Sequence, residues 1–308
     1  MPVVRAKRPN YPRLNPQTEF DRCVHTMFLN KVTTGFILFV ITSVAHTATW
    51  VIHDQDDLAG EIQYASAQGG DTLYELGLRY DIGLLEMRAA NPGVDPDREL
   101  AAGTKLIIPS YYILPKGARH GLVINLAEYR LYYFPEGDNT VITMPVGIGR
   151  KGWNTPVGTT KVVGKVRNPV WHPTEKLKAE AEKNGAPIPD EFPSGYGNPL
   201  GRHALRLGWP TYLIHGTNRR DGIGSQVSAG CLRMIPEDIE YLFDFVAPGT
   251  PVRIINEPVK IGQLNGHTYI ESHSPQYKRA TNKVVLSANS AIVESELRSP
   301  TGIPRKIS

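Results

Sequence analysis

The segment GLVINLAEYRLYYF, residues 121–134, carries two apolar runs on either side of a short turn at 127–129. Runs of about four to eight residues rich in valine, isoleucine, tyrosine and phenylalanine are typical of β-strands. The segment therefore predicts two strands joined by a tight turn. Further segments of this kind, each bounded by glycine, proline or asparagine, are VITMPVGIG (141–149), GTTKVVGKV (158–166), TYLIHGT (211–217) and PVRIIN (251–256).

These strands predict one mainly β domain over residues 113–257. Within it, residues 174–199 are rich in lysine, glutamate, proline and glycine, which predicts an exposed insertion. PEDIEYLFDFVA, 236–247, predicts a helix, because a proline stands near its first turn and Pro-Gly follows it. Residues 258–308 predict a hairpin around Asn265-Gly266 and then a loose, aperiodic tail from residue 276.

The charge is concentrated at the start of the chain. The 308 residues have a net charge of +4, and residues 1–45 hold six lysines and arginines against two acids. The remainder is therefore close to neutral. A basic patch that could bind nucleic acid is not indicated, so nucleic acid is not an expected partner.

Residues 32–45, VTTGFILFVITSVA, form a long apolar run. The run is shorter than the roughly 20 residues of a membrane span. It follows Lys31 and ends in the small residues Ser43-Val44-Ala45, as a secretory signal peptide does. Residues 1–45 are predicted to be a leader, with Met27 as an alternative start and an uncleaved membrane anchor as the alternative interpretation. We expect an exported protein.

A short linker is predicted over residues 46–63, and a small α/β module over residues 64–110. Gly70-Asp71-Thr72 predicts a turn and a helix N-cap, Asn91-Pro92-Gly93 predicts a second turn, and LIIP at 106–109 predicts a buried strand. The order is strand, helix, helix, strand (βααβ). The segment resembles a LysM module, and the resemblance implies binding of N-acetylglucosamine-containing glycans such as peptidoglycan. The alternative is a small α/β spacer.

VSAGCLRM, residues 227–234, contains the cysteine that remains if the leader, with Cys23, is removed. His215 precedes Cys231 by 16 residues, at the end of a predicted strand. A thiol beside an imidazole can carry out nucleophilic acyl transfer, because the imidazole lowers the thiol pKa from about 8.5 or stabilises the ion pair. Gly230 leaves room for backbone N–H donors to an oxyanion. A structural cysteine and a structural histidine are the alternatives.

The combination IHGTN, nine residues, then SAGCLRM is similar to the signature of the L,D-transpeptidase (YkuD) domain, which remakes peptide bonds in peptidoglycan. The resemblance extends over about residues 113–257 and implies a mainly β, sandwich-like fold. The chain has alanine at position 229, whereas many members of the family have histidine at that point of the signature. The LysM-like module and the C-terminal segment are most similar to the ErfK/YbiS type of the family.

The resemblance implies a role for each site residue. Cys231 is the nucleophile, and His215 is the general base and then the acid. The carbonyl of Gly216 orients the imidazole, and the amides near Gly230 and Cys231 form the oxyanion hole. Three further residues are expected to shape the site or bind substrate: Asn218, Ser228 and Arg233.

The implied reaction forms a thioester with a tetrapeptide stem and releases D-alanine. The acceptor is the amine of a lysine on an envelope lipoprotein or outer-membrane protein, the amine of a second stem, or water. The protein is expected in the periplasm of a Gram-negative bacterium. Neither a metal nor another cofactor is expected, because the histidines show no zinc-type pairing and no glycine-rich phosphate motif is present.

One alternative and one expectation concern the whole chain. A peptidoglycan-binding protein with an inactive second domain is the non-enzymatic alternative. The two domains are also expected to act separately, so that deleting residues 64–109 weakens peptidoglycan binding and leaves acylation of Cys231 nearly unchanged.

Overall fold

The computed structural model describes residues 48–53, 56–274 and 301–307. The predicted leader, residues 1–45, and the predicted tail over 276–300 lie outside these ranges. Among the described residues, no helix is both long enough and apolar enough to cross a membrane.

The N-terminal part contains the predicted small α/β module, which is confirmed as strand, helix, helix, strand. Strand β3 pairs antiparallel with β4, and the two short helices lie between them in the chain. The elements up to residue 113 are β1 (Ala48–Val51), β2 (Leu58–Gly60), β3 (Gln63–Ser66), α1 (Leu73–Arg79), α2 (Leu84–Ala90), β4 (Lys105–Ile108) and β5 (Tyr111–Ile113).

Helix α1 begins where the sequence predicts its N-cap. The Glu75 amide donates to the Thr72 hydroxyl at 3.1 Å, and the Thr72 amide donates to the Glu75 carboxylate at 3.1 Å. This reciprocal pair satisfies two N–H groups that the first turn leaves without partners. Asp71 also pairs with Arg79 at 2.6 Å, which joins the turn before the helix to its last residue.

The predicted linker over residues 46–63 is corrected by the structure. Strand β1 pairs with a strand of the large sheet, from Ala48 opposite Thr143 to Val51 opposite Thr140. Strand β2 pairs with β5. The segment was predicted as a linker because it is short and polar, whereas backbone pairing with distant strands cannot be read from its composition.

The large domain is mainly β, as predicted. Its elements are β6 (Gly121–Asn125), β7 (Arg130–Phe134), β8 (Thr140–Gly149), β9 (Gly158–Arg167), α3 (Glu175–Lys183), β10 (His203–Leu207), β11 (Leu213–His215), β12 (Gln226–Ser228), β13 (Leu232–Met234), α4 (Pro236–Phe245) and β14 (Pro251–Ile255). The sheet order is β1-β8-β13-β11-β10-β9-β14-β6-β7, and β7 also pairs with β8. This last pairing closes the strands into a ring, so the domain is barrel-like.

Both faces of the strands β6 and β7 are buried. Leu122 and Ile124 point into the core of the barrel, whereas Val123, between them, joins a second core cluster. This second cluster contains Leu73, Leu76 and Met87 of the small module. Because side chains alternate across a strand, the same two strands supply both cores.

The C-terminal part forms a three-stranded sheet. Strands β15 (Val259–Leu264) and β16 (His267–Ser272) form a hairpin whose turn residues, Asn265 and Gly266, have φ angles of 51° and 75°. Two positive φ angles favour the Asn-Gly sequence found there. Strand β17 (Arg305–Lys306) pairs with β16, so these residues are not the loose tail that the sequence predicts.

Candidate active site

The fold brings the predicted histidine and cysteine to neighbouring strands. His215 ends β11, and Cys231 lies directly before β13, which runs parallel to β11. Ile214 is paired with Leu232, so Cys231 lies level with Leu213. Residues in register share a face, and residues two apart on a strand do as well. Cys231 and His215 therefore project from the same face of the sheet.

His215 is buried and held in one orientation. Its Nδ1 lies 2.6 Å from the carbonyl oxygen of Gly216. A carbonyl oxygen only accepts hydrogen bonds, so Nδ1 carries the proton and Nε2 keeps a free lone pair. Burial lowers the pKa of His215 to about 4, although the bond to Gly216 opposes this shift. The imidazole is therefore neutral at pH 7.

The Cys231 thiol is half-buried, and its Sγ lies 3.5 Å from the carbonyl oxygen of Thr211. Burial raises the pKa of this thiol above its usual value. The lowered pKa that the sequence suggests is thus not found in the resting site, because the loss of water outweighs the hydrogen bond with the Leu213 backbone. The resting pair is a thiol and an imidazole, not an ion pair.

The turn before Cys231 is closed by Ser228. Its hydroxyl donates to the Cys231 carbonyl at 2.5 Å and accepts the Gly230 amide at 3.1 Å. The Gly230 amide is therefore already engaged in the resting structure, and the oxyanion hole near Gly230 and Cys231 stays a prediction. Gly230 has a φ of 107°, and a Cβ there would lie 3.1 Å from the Tyr212 ring. Ser228 and Gly230 thus shape the turn.

The sequence did not single out Thr155, a buried residue behind this turn. Its hydroxyl donates to the Gly230 carbonyl at 2.9 Å and accepts the Gly149 amide at 3.0 Å. Thr155 therefore joins the end of β8 to the cysteine turn. The only signal was its place in the segment MPVGIGRKGWNTPVGTTKV, which belongs to the resemblance described above.

The predicted insertion contains α3, which is in contact with the same region. Arg150, directly after β8, pairs with Glu180 of α3 at 2.8 Å. Lys176 of α3 lies over the Trp153 ring at 4.1 Å from its centroid. None of the residues of α3 is buried, so these polar contacts attach the exposed helix beside the cysteine turn.

A cavity of about 390 Å³ lies beside the cysteine segment. Asn218 and Arg233, two of the predicted binding residues, line it, and Ser228 does not. Asn218 donates to the Gly197 carbonyl at 3.2 Å. The Nε of Arg233 is buried and has no hydrogen-bond partner among the described residues. The other lining residues are Phe192, Gly197, Pro199, Arg219, Asp221 and Val227.

Three potential metal ligands meet elsewhere, at Glu128, Glu271 and His273. The ammonium of Lys260 lies 2.8 Å from Glu128 and 3.0 Å from Glu271. Both carboxylates offset the free-energy cost of burying the ammonium group, and they hold the pKa of Lys260 above its usual value. Lys260 thus already supplies the positive charge that a metal ion would bring to these carboxylates.

Family comparisons agree with this architecture. The model described as the L,D-transpeptidase catalytic domain matches residues 119–254, and the model described as the LysM domain matches residues 68–109. A solved NMR structure, the catalytic domain from the Enterococcus faecium L,D-transpeptidase, aligns with 46% of this chain and 100% of that chain, at 19% identity and a TM-score of 0.36.

Two bacterial relatives match most of the chain. The probable L,D-transpeptidase YbiS of Escherichia coli is 44% identical over 245 residues, which are 77% of this chain and 79% of that protein. The probable L,D-transpeptidase ErfK/SrfK of Salmonella typhimurium is 43% identical over 230 residues, which are 74% of this chain and 71% of that protein. The fold and the family matches together define the class of protein: a barrel-like catalytic domain preceded by a LysM domain. The chain belongs to the L,D-transpeptidase family, and it is an enzyme of the transferase class.

Proposed function

We propose that the protein is a peptidoglycan L,D-transpeptidase that acylates Cys231 with a tetrapeptide stem. The observation that carries the proposal is the hydrogen bond from Nδ1 of His215 to the Gly216 carbonyl. This bond leaves Nε2 as an acceptor on the face of the sheet that also presents the thiol. Burial keeps the imidazole unprotonated at neutral pH, which a general base requires.

The chemistry proceeds in two halves. In the first, Nε2 of His215 takes the thiol proton as Sγ attacks the carbonyl carbon of the third stem residue. The tetrahedral intermediate collapses to a thioester, and the imidazolium gives its proton to the departing amine of D-alanine. In the second half an acceptor amine attacks the thioester, loses a proton to His215, and displaces the Cys231 sulfur, which regains a proton.

The developing oxyanion needs nearby N–H donors. The Gly230 amide is engaged by Ser228 at rest, so we propose the Cys231 amide as the first donor. For substrate binding we propose Arg233 and Asn218, which line the adjacent cavity. Arg233 offers a guanidinium whose Nε is buried without a partner among the described residues, and a stem carboxylate would satisfy it.

For the acceptor we propose the side-chain amine of a lysine on an envelope lipoprotein or outer-membrane protein. The support is the resemblance to the ErfK/YbiS type, together with the 44% identity to YbiS. The LysM domain would hold the glycan strands, and the site of action would be the periplasm, after export. A second stem as acceptor, or water, is the alternative outcome.

The test uses purified protein and muropeptides that carry tetrapeptide stems. We expect release of D-alanine and one stem adduct by intact mass, mapped to the peptide with Cys231. Cys231→Ala should abolish both and keep binding to insoluble peptidoglycan. If wild type and Cys231→Ala both bind peptidoglycan and neither releases D-alanine, the protein is a non-catalytic binding protein. Muropeptide analysis of cells with and without the gene would separate stem–stem links, stem–protein links and simple loss of D-alanine.

A further inference from the structure

The loop between His215 and Cys231 forms one wall of the cavity. Asn218, Arg219 and Asp221 all lie on it. The loop includes few residues of regular structure before β12 begins at Gln226. Its position must therefore come from hydrogen bonds within the loop, from the Asn218 bond to Gly197 and from neighbouring elements.

Two of the contacts with neighbouring elements come from the catalytic domain. The Arg220 side chain pairs with Glu237 of α4 at 2.6 Å. Gly222 lies against Gly147 of β8. The two are so close that a Cβ atom added to Gly147 would lie 2.6 Å from the Gly222 carbonyl oxygen. These contacts hold a charged side chain and the far end of the loop.

The backbone on either side of Arg220 is held by the Thr217 hydroxyl, which donates to the Arg219 carbonyl at 2.6 Å, and by Arg233, which donates to the Asp221 carbonyl at 3.5 Å. The Arg220 carbonyl itself accepts the Ile223 amide at 3.2 Å and is the point that the LysM domain also reaches.

The third contact comes from the LysM domain. The hydroxyl of Tyr74, on α1, donates to the backbone carbonyl of Arg220. The backbones of Gly83 and Gly224 are also in close contact. A Cβ atom added to Gly224 would lie only 2.4 Å from the Gly83 Cα. Gly224 has a φ of 74°, which also favours glycine. The glycan-binding domain thus contacts the loop at two points.

The surroundings of Tyr74 place it next to the cavity. Burial raises the pKa of its hydroxyl to about 12, and the charges of Asp221, Arg220 and Arg233 act on it as well. Asp221 and Arg233 both line the cavity. The hydroxyl therefore stays protonated at neutral pH and remains a donor to the loop.

We propose that Tyr74 is a positioning residue for the transpeptidase site: through its hydrogen bond to the Arg220 carbonyl, the LysM domain fixes the loop that carries Asn218, Arg219 and Asp221 in the substrate cavity. The inference rests on the proposed function, because it assigns this cavity to the donor stem. It makes the LysM domain part of the catalytic site's geometry in addition to any glycan binding.

The test compares Tyr74→Phe with Tyr64→Phe in the full-length protein. Tyr64 is a matched control, because it lies on β3 of the same domain and is 75% exposed. Removing one hydrogen bond of about 1 kcal/mol corresponds to roughly a five-fold change in an equilibrium constant. We expect Tyr74→Phe to raise KM for the tetrapeptide donor about five-fold, with kcat within two-fold, and Tyr64→Phe to leave both unchanged.

Two further readouts separate positioning from general damage. Alkylation of Cys231 by iodoacetamide, which is too small to need the cavity, should proceed at the wild-type rate in both variants. Hydrogen exchange of the amides in residues 217–224 should be faster in Tyr74→Phe only. Gly224→Ala, which forces the two backbones apart, should produce a larger KM effect; if it does not fold, Tyr74→Phe still decides the question.

The outcomes for the two proposals are distinct. If wild type releases no D-alanine, the proposed function fails, and the exchange data still report whether Tyr74 holds the loop. If wild type is active while Tyr74→Phe equals Tyr64→Phe in both KM and loop exchange, the positioning role is overturned. A fall in kcat with unchanged KM and slower alkylation would also overturn it, since the effect would then lie at Cys231.

Discussion

At the scale of single residues, burial determines how the candidate pair exchanges its proton. Burial lowers the pKa of His215 to about 4 and raises that of Cys231, so both groups are neutral at pH 7. In the proposed mechanism the proton would therefore move during the attack. Residue types and spacing made Cys231 and His215 candidates, and the family resemblance implied their roles and the Gly216 partner. The sequence could not predict the ionisation, which depends on the atoms packed around the imidazole.

A stability measurement tests the burial of His215. Between about pH 6.5 and 4, an unfolded histidine is protonated while the folded His215 stays neutral, so the unfolded state binds the extra proton and stability falls as the pH falls. Relative to His215→Gln, the wild type should lose up to about 3 kcal/mol over this window. Urea unfolding at pH 7 and pH 4 gives the difference, with the exposed His120→Gln as control. Parallel changes in wild type and His215→Gln would contradict it.

At the scale of elements, one carboxylate attaches helix α2 to the barrel. Glu86 accepts the Gly83 amide at 3.0 Å at the start of the helix and pairs with Arg130 of β7 at 2.7 Å. Arg130 also donates to the Asp81 carbonyl at 3.1 Å. The sequence predicted both the helix and the strand. It gave no sign that the arginine in RLYYF would be fully buried by a helix more than 40 residues earlier, because this contact is tertiary.

Breaking this pair should be costly. Glu86→Gln leaves the guanidinium of Arg130 buried without its counter-charge, and such changes cost about 3–5 kcal/mol. Asp95→Asn is the matched control in the same domain, because Asp95 pairs with Arg98 on the surface, where a pair is worth about 0–1 kcal/mol. Urea unfolding of the two full-length variants gives both values. Equal small losses would mean that water or another group replaces the carboxylate.

At the scale of the whole molecule, the sequence predicted the individual helices and strands better than it predicted how the strands pair and pack. Six strands of the barrel (β6, β7, β8, β9, β11 and β14), the LysM helices and the Asn265-Gly266 turn left local signals in apolar runs, caps and turn residues, whereas β10, β12 and β13 were not predicted. The pairing of β1 with β8 and of β17 with β16 did not, because segments of two to four residues become strands only when a distant edge is available. For the same reason the sequence predicted two domains that act separately. It does not show that alternate residues of β6 and β7 enter two different cores.

This shared core argues against the expectation that residues 64–109 can be deleted without effect on acylation. Val123, Tyr132, Phe134 and Val141 of the barrel pack in the cluster that holds the LysM helices. Exposing four such side chains would cost about 6–12 kcal/mol at about 1.5–3 kcal/mol each. That is as large as the whole stability of a typical domain, about 5–15 kcal/mol. The barrel should therefore not survive the deletion.

We expect the LysM domain and the barrel to unfold in one cooperative transition. Native-state hydrogen exchange in rising urea should show the amides of β4, in the LysM domain, and β6, in the barrel, reaching the same free energy of opening. The deletion variant should lack native far-UV circular dichroism and form no stem adduct at Cys231, whereas Cys231→Ala should keep the circular dichroism and lose only the adduct. If β4 opens well below β6 and the deletion variant is acylated at the wild-type rate, the second core contributes little and the two domains are independent.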